Sequence, residues 1–117
     1  MANQGQEFVN TSGQSGAQLP DQLRGWNWGA FLMNWIWAIA HRAWLGFVLA
    51  FFLGIIGAIV CGIVGNEWAW KNRRWQGIQQ FKDTQRVWAI VGLVFLVLGL
   101  LCAFIAVLIL ALVAGTR

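Results

Sequence analysis

Two long stretches of this chain carry no charge at all, residues 43–65 and residues 88–114. Soluble domains usually draw about a quarter of their residues from the charged types. Here the share is 10%, against 59% hydrophobic. A chain of 117 residues lacks the volume to bury so much apolar surface within itself, so the two runs call for a lipid solvent. At 1.5 Å per residue the first reaches roughly 35 Å and the second roughly 40 Å, each enough to cross a hydrocarbon core of about 30 Å. The pattern predicts an all-α membrane protein with two antiparallel transmembrane helices and Trp-rich interfacial helical segments.

The rest of the chain divides around these runs. Residues 1–24 are rich in Gln, Gly, Ser, Asn and Thr and read as a disordered polar tail. They lack the basic start and apolar centre of a signal peptide. A membrane domain is expected over 25–117. Its first part, 26–42, holds an apolar stretch too short to span. On a helix Asn27, Asn34 and His41 fall seven apart and make one polar line, which suits an interfacial or re-entrant helix. His41, beside Arg42, reads as a helix-end anchor; the alternative is a group titrating at the membrane surface. Residues 66–87 form a basic, Trp-rich loop or interfacial helix, with Asn66 placed to cap it and Glu67 near its positive end.

All nine tryptophans are expected at the lipid interface: Trp26, Trp28, Trp35, Trp37, Trp44, Trp68, Trp70, Trp75 and Trp88. Indoles favour the headgroup level, where one ring edge is wet and the body apolar. Lys71, Arg73, Arg74 and Lys82 lie among them and can snorkel to phosphates. The net charge of +4 makes anionic lipid the expected partner. Arg73-Arg74-Trp75 could also stack bases, but its place beside the spans favours headgroups, and no nucleic acid is expected. Lys/Arg counts place the 66–87 loop in the cytoplasm and both termini outside.

Small residues mark candidate helix-packing faces. Gly46, Ala50, Gly54, Ala58 and Gly62 recur every four residues in the first run, a groove for close backbone approach. Gly92, Gly99, Ala103 and Ala106, with Ala89, Leu96 and Leu110, alternate three and four apart in the second, as a heptad face does. These faces serve either other transmembrane helices, in a homo-oligomer or a larger membrane complex, or each other. Cys61 and Cys102 fall at different depths, so no disulfide between them is expected.

Site chemistry is missing from the inventory. The carboxylates are Glu7, Asp21, Glu67 and Asp83, and no spacing pairs them for acid–base or metal work. No phosphate-cradling glycine motif, zinc spacing or nucleophile elbow occurs. The expectation is a protein without enzymatic activity, metal or cofactor. It would act as an accessory or assembly subunit through helix–helix contacts. A homo-oligomeric pore or conduit and an anionic-lipid-binding membrane-surface protein are the alternatives.

The run from Trp26 to Trp37 (WNWGAFLMNWIW), followed by His41-Arg42-Ala43-Trp44, Gly65-Asn66-Glu67-Trp68-Ala69-Trp70 and Arg73-Arg74-Trp75, resembles small bacterial membrane proteins of unknown function, the DUF2628-like proteins. The similarity covers roughly residues 24–90. It implies bacterial origin and membrane location and brings no activity with it; with the two expected spans, the setting is a multi-pass place in the bacterial inner membrane.

Overall fold

The structure, a computed structural model, describes residues 9–116. It is all-helical, with no strand among the described residues. A single 3-10 turn at Asp21–Leu23 precedes four helices: α1 (Trp28–Ala40), α2 (Trp44–Leu53), α3 (Ile55–Asn72) and α4 (Ile78–Gly115).

The first uncharged run does not form one span. It breaks at Gly54, whose φ of 60° and ψ of −121° lie where only glycine sits without strain. The chain reverses there, and α3 packs back along α2. At Gly57 the two backbones touch: a Cβ there would stand 2.2 Å from the Leu49 carbonyl carbon and 2.3 Å from the Ala50 nitrogen. Further from the turn Gly46 faces Cys61 and the Trp68 ring. Ala50 and Ala58 are buried as well. The tip of this hairpin, from Phe51 to Ile56, is exposed and apolar. The 10 residues of α2 give the hairpin a depth of about 15 Å, half of what a crossing needs. Length alone suggested a span; the small residues, expected to serve other helices or the second span, instead let two short helices of the same run meet.

A second reversal lies inside α1. Asn34 has φ 23° and ψ −96° and interrupts the helix. Its side chain serves the break, accepting from the Trp35 N–H at 2.8 Å and donating to the Phe31 carbonyl at 3.2 Å. In a straight helix Asn27 and His41 would be about 21 Å apart. Here both reach the same residue, Gln85 of α4, so the two halves of α1 fold back on each other. The end of α1 closes in a Schellman arrangement: Arg42 N–H donates to the Ile39 carbonyl and Ala43 N–H to the Ala38 carbonyl, with Arg42 left-handed at φ 57°. The turns at Asn34 and Gly54 border one groove, shared by Phe31, Trp35, Ala50 and Ile55.

Among the described residues, helix α4 is the one element long and apolar enough to cross a membrane. Its 38 residues extend about 57 Å. Only Phe81 and Gly92 along it are buried. Its first third packs on α1: Gly29 meets Trp88 and Ala89, and Gly92 meets Leu32 and Met33. Beyond that point residues 93–114 are exposed on all sides, and the molecule measures 74 × 27 × 18 Å.

Two further expectations change. The 66–87 segment is not a separate interfacial helix. Its first seven residues extend α3, an extended stretch follows from Arg73, and Ile78 opens α4. Asn66 therefore lies within a helix and bonds sideways instead of capping. The polar tail, where described, is docked: Gly13 N–H donates to the Trp70 carbonyl, Asn10 Nδ2 to the Trp75 carbonyl, and the Arg74 guanidinium to the Asn10 and Ser12 carbonyls. Ser12 is fully buried and its hydroxyl accepts from the Trp75 N–H. Tail and loop thus share one end of the molecule, which contradicts their assignment to opposite sides of a membrane. Residues 1–8 of the expected tail lie outside the described residues.

The hairpin makes a direct prediction. Gly57→Ala forces backbone apart from backbone and should lower stability in detergent by about 2–3 kcal/mol. Gly99→Ala, with nothing near it, should change stability by less than about 1 kcal/mol, in the stabilising direction. Equal thermal shifts for the two would contradict the hairpin.

Candidate functional site

Apolar surroundings make every amide and imidazole atom an obligation, since an unpaired buried polar group costs about 1–3 kcal/mol. The chain meets this with one node around Gln85, which sits just before the uncharged part of α4. Its Oε1 accepts from Asn27 Nδ2 and from Trp37 Nε1, both at 2.9 Å. Its Nε2 donates to His41 Nε2 at 3.1 Å. That leaves His41 Nδ1 to carry the proton and donate to the Trp37 carbonyl at 2.9 Å, so the partners select the neutral tautomer. Asn27 continues the network. Its Nδ2 also donates to Asn66 Oδ1 at 2.7 Å, and its Oδ1 accepts from the Ala30 N–H as the N-cap of α1. Asn66 Nδ2 donates in turn to the Leu23 carbonyl at 2.7 Å.

Aromatic rings enclose this node. His41 stacks on Trp37 at 4.2 Å, lies parallel to Trp75 at 6.4 Å and meets Trp88 edge-on at 5.4 Å. Phe81 presents its ring edge-on to Trp70 and Trp75. Burial lowers the His41 pKa to about 4; the Trp37 carbonyl opposes that shift and the Arg73 charge adds to it. Both ring nitrogens of His41 and the Gln85 carbonyl oxygen are occupied inside the chain. The arrangement can position helices; it presents no free base or nucleophile.

The expected interface residues separate into two groups. Trp37, Trp70 and Trp75 are core, each no more than 1% exposed, because the folded α1 and the docked tail cover them. Trp26, Trp28, Trp35 and Trp44 are exposed, and Trp68 and Trp88 half-buried. Among the cations Arg74 is held by the tail, and Arg73 lies 4.4 Å over the Trp75 ring. Lys71 and Lys82 are exposed. Of the packing residues, Gly46, Ala50, Ala58, Gly62 and Gly92 are consumed within the chain, Gly62 against the Trp26 ring and Gly92 against Leu32. Gly54 makes the turn. Gly99, Ala103 and Ala106 meet nothing.

Gln85 went unnoticed in the sequence, as did the pairing of Asn27 with Asn66. The signal was there: four amides and one imidazole flank or interrupt apolar stretches, and each needs a partner. Of the predicted polar line, Asn27 and His41 do meet at Gln85, whereas Asn34 stays at the reversal. Of the described carboxylates, Asp21 and Glu67 share the Arg24 guanidinium, at 3.1 and 3.8 Å, and Asp83 stands apart, accepting from Gln79. Among the described residues no group of three or more His, Cys, Asp or Glu side chains is placed to hold a metal. Both cysteines are free, Cys61 buried and Cys102 exposed. Comparison with protein-family models, with curated proteins and with solved structures finds no match.

The node predicts an acid sensitivity. His41 binds its proton at about 4 when folded and near 6.5 when unfolded. Its contribution is therefore complete above pH 6.5 and is lost as pH falls from 6.5 through 4, by up to about 3 kcal/mol. Thermal unfolding in detergent should show that slope between pH 6.5 and 4, and His41→Gln should flatten it. A wild-type profile level across this window would contradict the buried neutral imidazole.

Proposed function

We propose that this chain is an integral membrane protein that crosses the bilayer once, through α4, and acts without catalysis as an accessory or assembly subunit. The observation that carries the reading is the C-terminal part of α4. Residues 93–114 are uncharged, exposed on every side and untouched by the rest of the chain. Lipid can solvate such a helix, but its heptad-spaced Leu96, Gly99, Ala103, Ala106 and Leu110 give another helix a close approach. The small residues of α2 and α3 are already engaged, so association falls to this face.

The hairpin α2–α3 then enters one leaflet from the same side as the tail and the loop, with Phe51 to Ile56 as its deepest part. Seven of the eight Lys/Arg residues precede the uncharged part of α4, and only Arg117 follows it. That imbalance supports a cytoplasmic head. The resemblance to DUF2628-like proteins supports the inner membrane of a bacterium as the setting. A pore is the weaker reading: between Trp88 and Ala114 the helix offers no charged or amide side chain to line a hydrated path.

The test is native mass in mild detergent at low expression. The wild-type chain should run in a defined assembly, with itself or with other membrane chains. The double variant Gly99→Leu, Ala103→Leu should lose it while keeping its own fold, because neither position touches the rest of the chain. An assembly unchanged by the double substitution, or a bare wild-type monomer, would refute the reading.

A further inference from the structure

Beside the Gln85 node a cleft of about 340 Å³ opens between the segment leading into α1 and the first turns of α4. Three cations line it, Arg24, Lys82 and Arg86, with the indoles of Trp26 and Trp28 and the methyl of Ala89. Arg24 is shared with Asp21 and Glu67. Lys82 and Arg86 have no carboxylate within ion-pair distance among the described residues. They are four residues apart and so lie on the same side of α4, about 6 Å apart along its axis.

The cleft also has two chemically distinct ends. Arg86 lies two residues before the uncharged run begins, and Ala89 is already inside it. Trp26 is fixed at that boundary, its ring seated over Gly62 and edge-on to Trp28 at 5.7 Å. A bound molecule would meet cations at one end and apolar rings at the other. Elsewhere Arg74 is spent on the tail, Arg73 lies over the Trp75 ring, and Lys71 opens onto a different cleft.

We propose that this cleft binds one anionic phospholipid, its phosphodiester between Lys82 and Arg86 and its acyl chains running past Trp28 and Ala89 onto α4. Charge-assisted bonds from two unpaired cations favour a phosphate oxygen over any neutral headgroup atom. The surface position just outside the apolar run is where a lipid phosphate lies. The proposal rests on the membrane placement of α4 and is independent of association through Gly99 and Ala103.

Native mass spectrometry of the whole chain in mild detergent tests it, with phosphatidylglycerol and phosphatidylcholine of identical acyl chains as probes. One phosphatidylglycerol should be retained in preference to phosphatidylcholine. The double variant Lys82→Gln, Arg86→Gln should weaken phosphatidylglycerol binding about thirtyfold without changing phosphatidylcholine. Lys71→Gln should leave both within about twofold. Binding by the wild type should also fall steeply with added salt, a readout that needs no variant. Equal retention of the two lipids, an unaffected double variant, or indifference to salt would overturn the proposal. Displacement by inorganic phosphate at equal concentration would overturn it too, by assigning the cleft to free phosphate. Release of the wild-type chain from membranes by alkaline carbonate would remove the membrane placement itself, and this proposal with it.

Discussion

The contact of backbone with backbone at Gly57 decides the shape of this molecule. Where a side chain would hold two helices 8–10 Å apart, glycine lets α3 lie directly on α2. Gly54 then needs only to reverse the chain. Together they turn a run long enough to cross a bilayer into a hairpin half that depth. The described residues N-terminal of α4 are thereby gathered at one end of the molecule: the tail reaches the loop, Ser12 enters the core beside Trp75, and α1 is sandwiched between the hairpin and α4.

Once the hairpin forms, the polar groups it carries inward have to be satisfied nearby. Gln85 does this for three segments at once. One carbonyl oxygen takes a donor from each half of α1, and the amide nitrogen of the same side chain holds the imidazole at its end. The network explains why a histidine stacked between indoles is tolerated: it is neutral, and both nitrogens have partners. It also explains why the node offers no chemistry of its own. Its atoms are committed to holding α1 folded on α4.

Composition and run length identified an all-helical chain and, in 88–114, the apolar part of the helix able to cross, but they marked 43–65 as a second span as well, because both readings depend only on which residues are apolar and for how long. They could not show that 43–65 reverses. A small residue every four positions suits an external groove and an internal hairpin equally well, and the choice depends on tertiary contact at Gly57, which lies off that ladder. The tryptophans misled for a related reason. An indole at a lipid surface and one in a small core look alike in a sequence, and Trp37, Trp70 and Trp75 are buried only because Asn34 bends α1 and Asn10, Ser12 and Arg74 dock the tail. Asn27 meets Asn66 and Gln85, 39 and 58 residues away, and His41 meets Gln85 44 residues away, beyond the reach of any local pattern. Charge was more informative than it first seemed. Lys82 and Arg86 lie just before the uncharged run and line a cleft, whereas the denser Arg73-Arg74 pair serves the fold.

A single crossing is the central claim, and the sidedness of three positions tests it most directly. Gln14→Cys in the tail, Gln79→Cys at the start of α4 and Thr116→Cys beyond its apolar part can each be labelled with a membrane-impermeant maleimide in vesicles of known orientation. The structure predicts that Gln14→Cys and Gln79→Cys react from the same side and Thr116→Cys from the other. Labelling of Gln14→Cys and Gln79→Cys from opposite sides would mean that residues 43–65 cross the bilayer, and the hairpin account would be wrong.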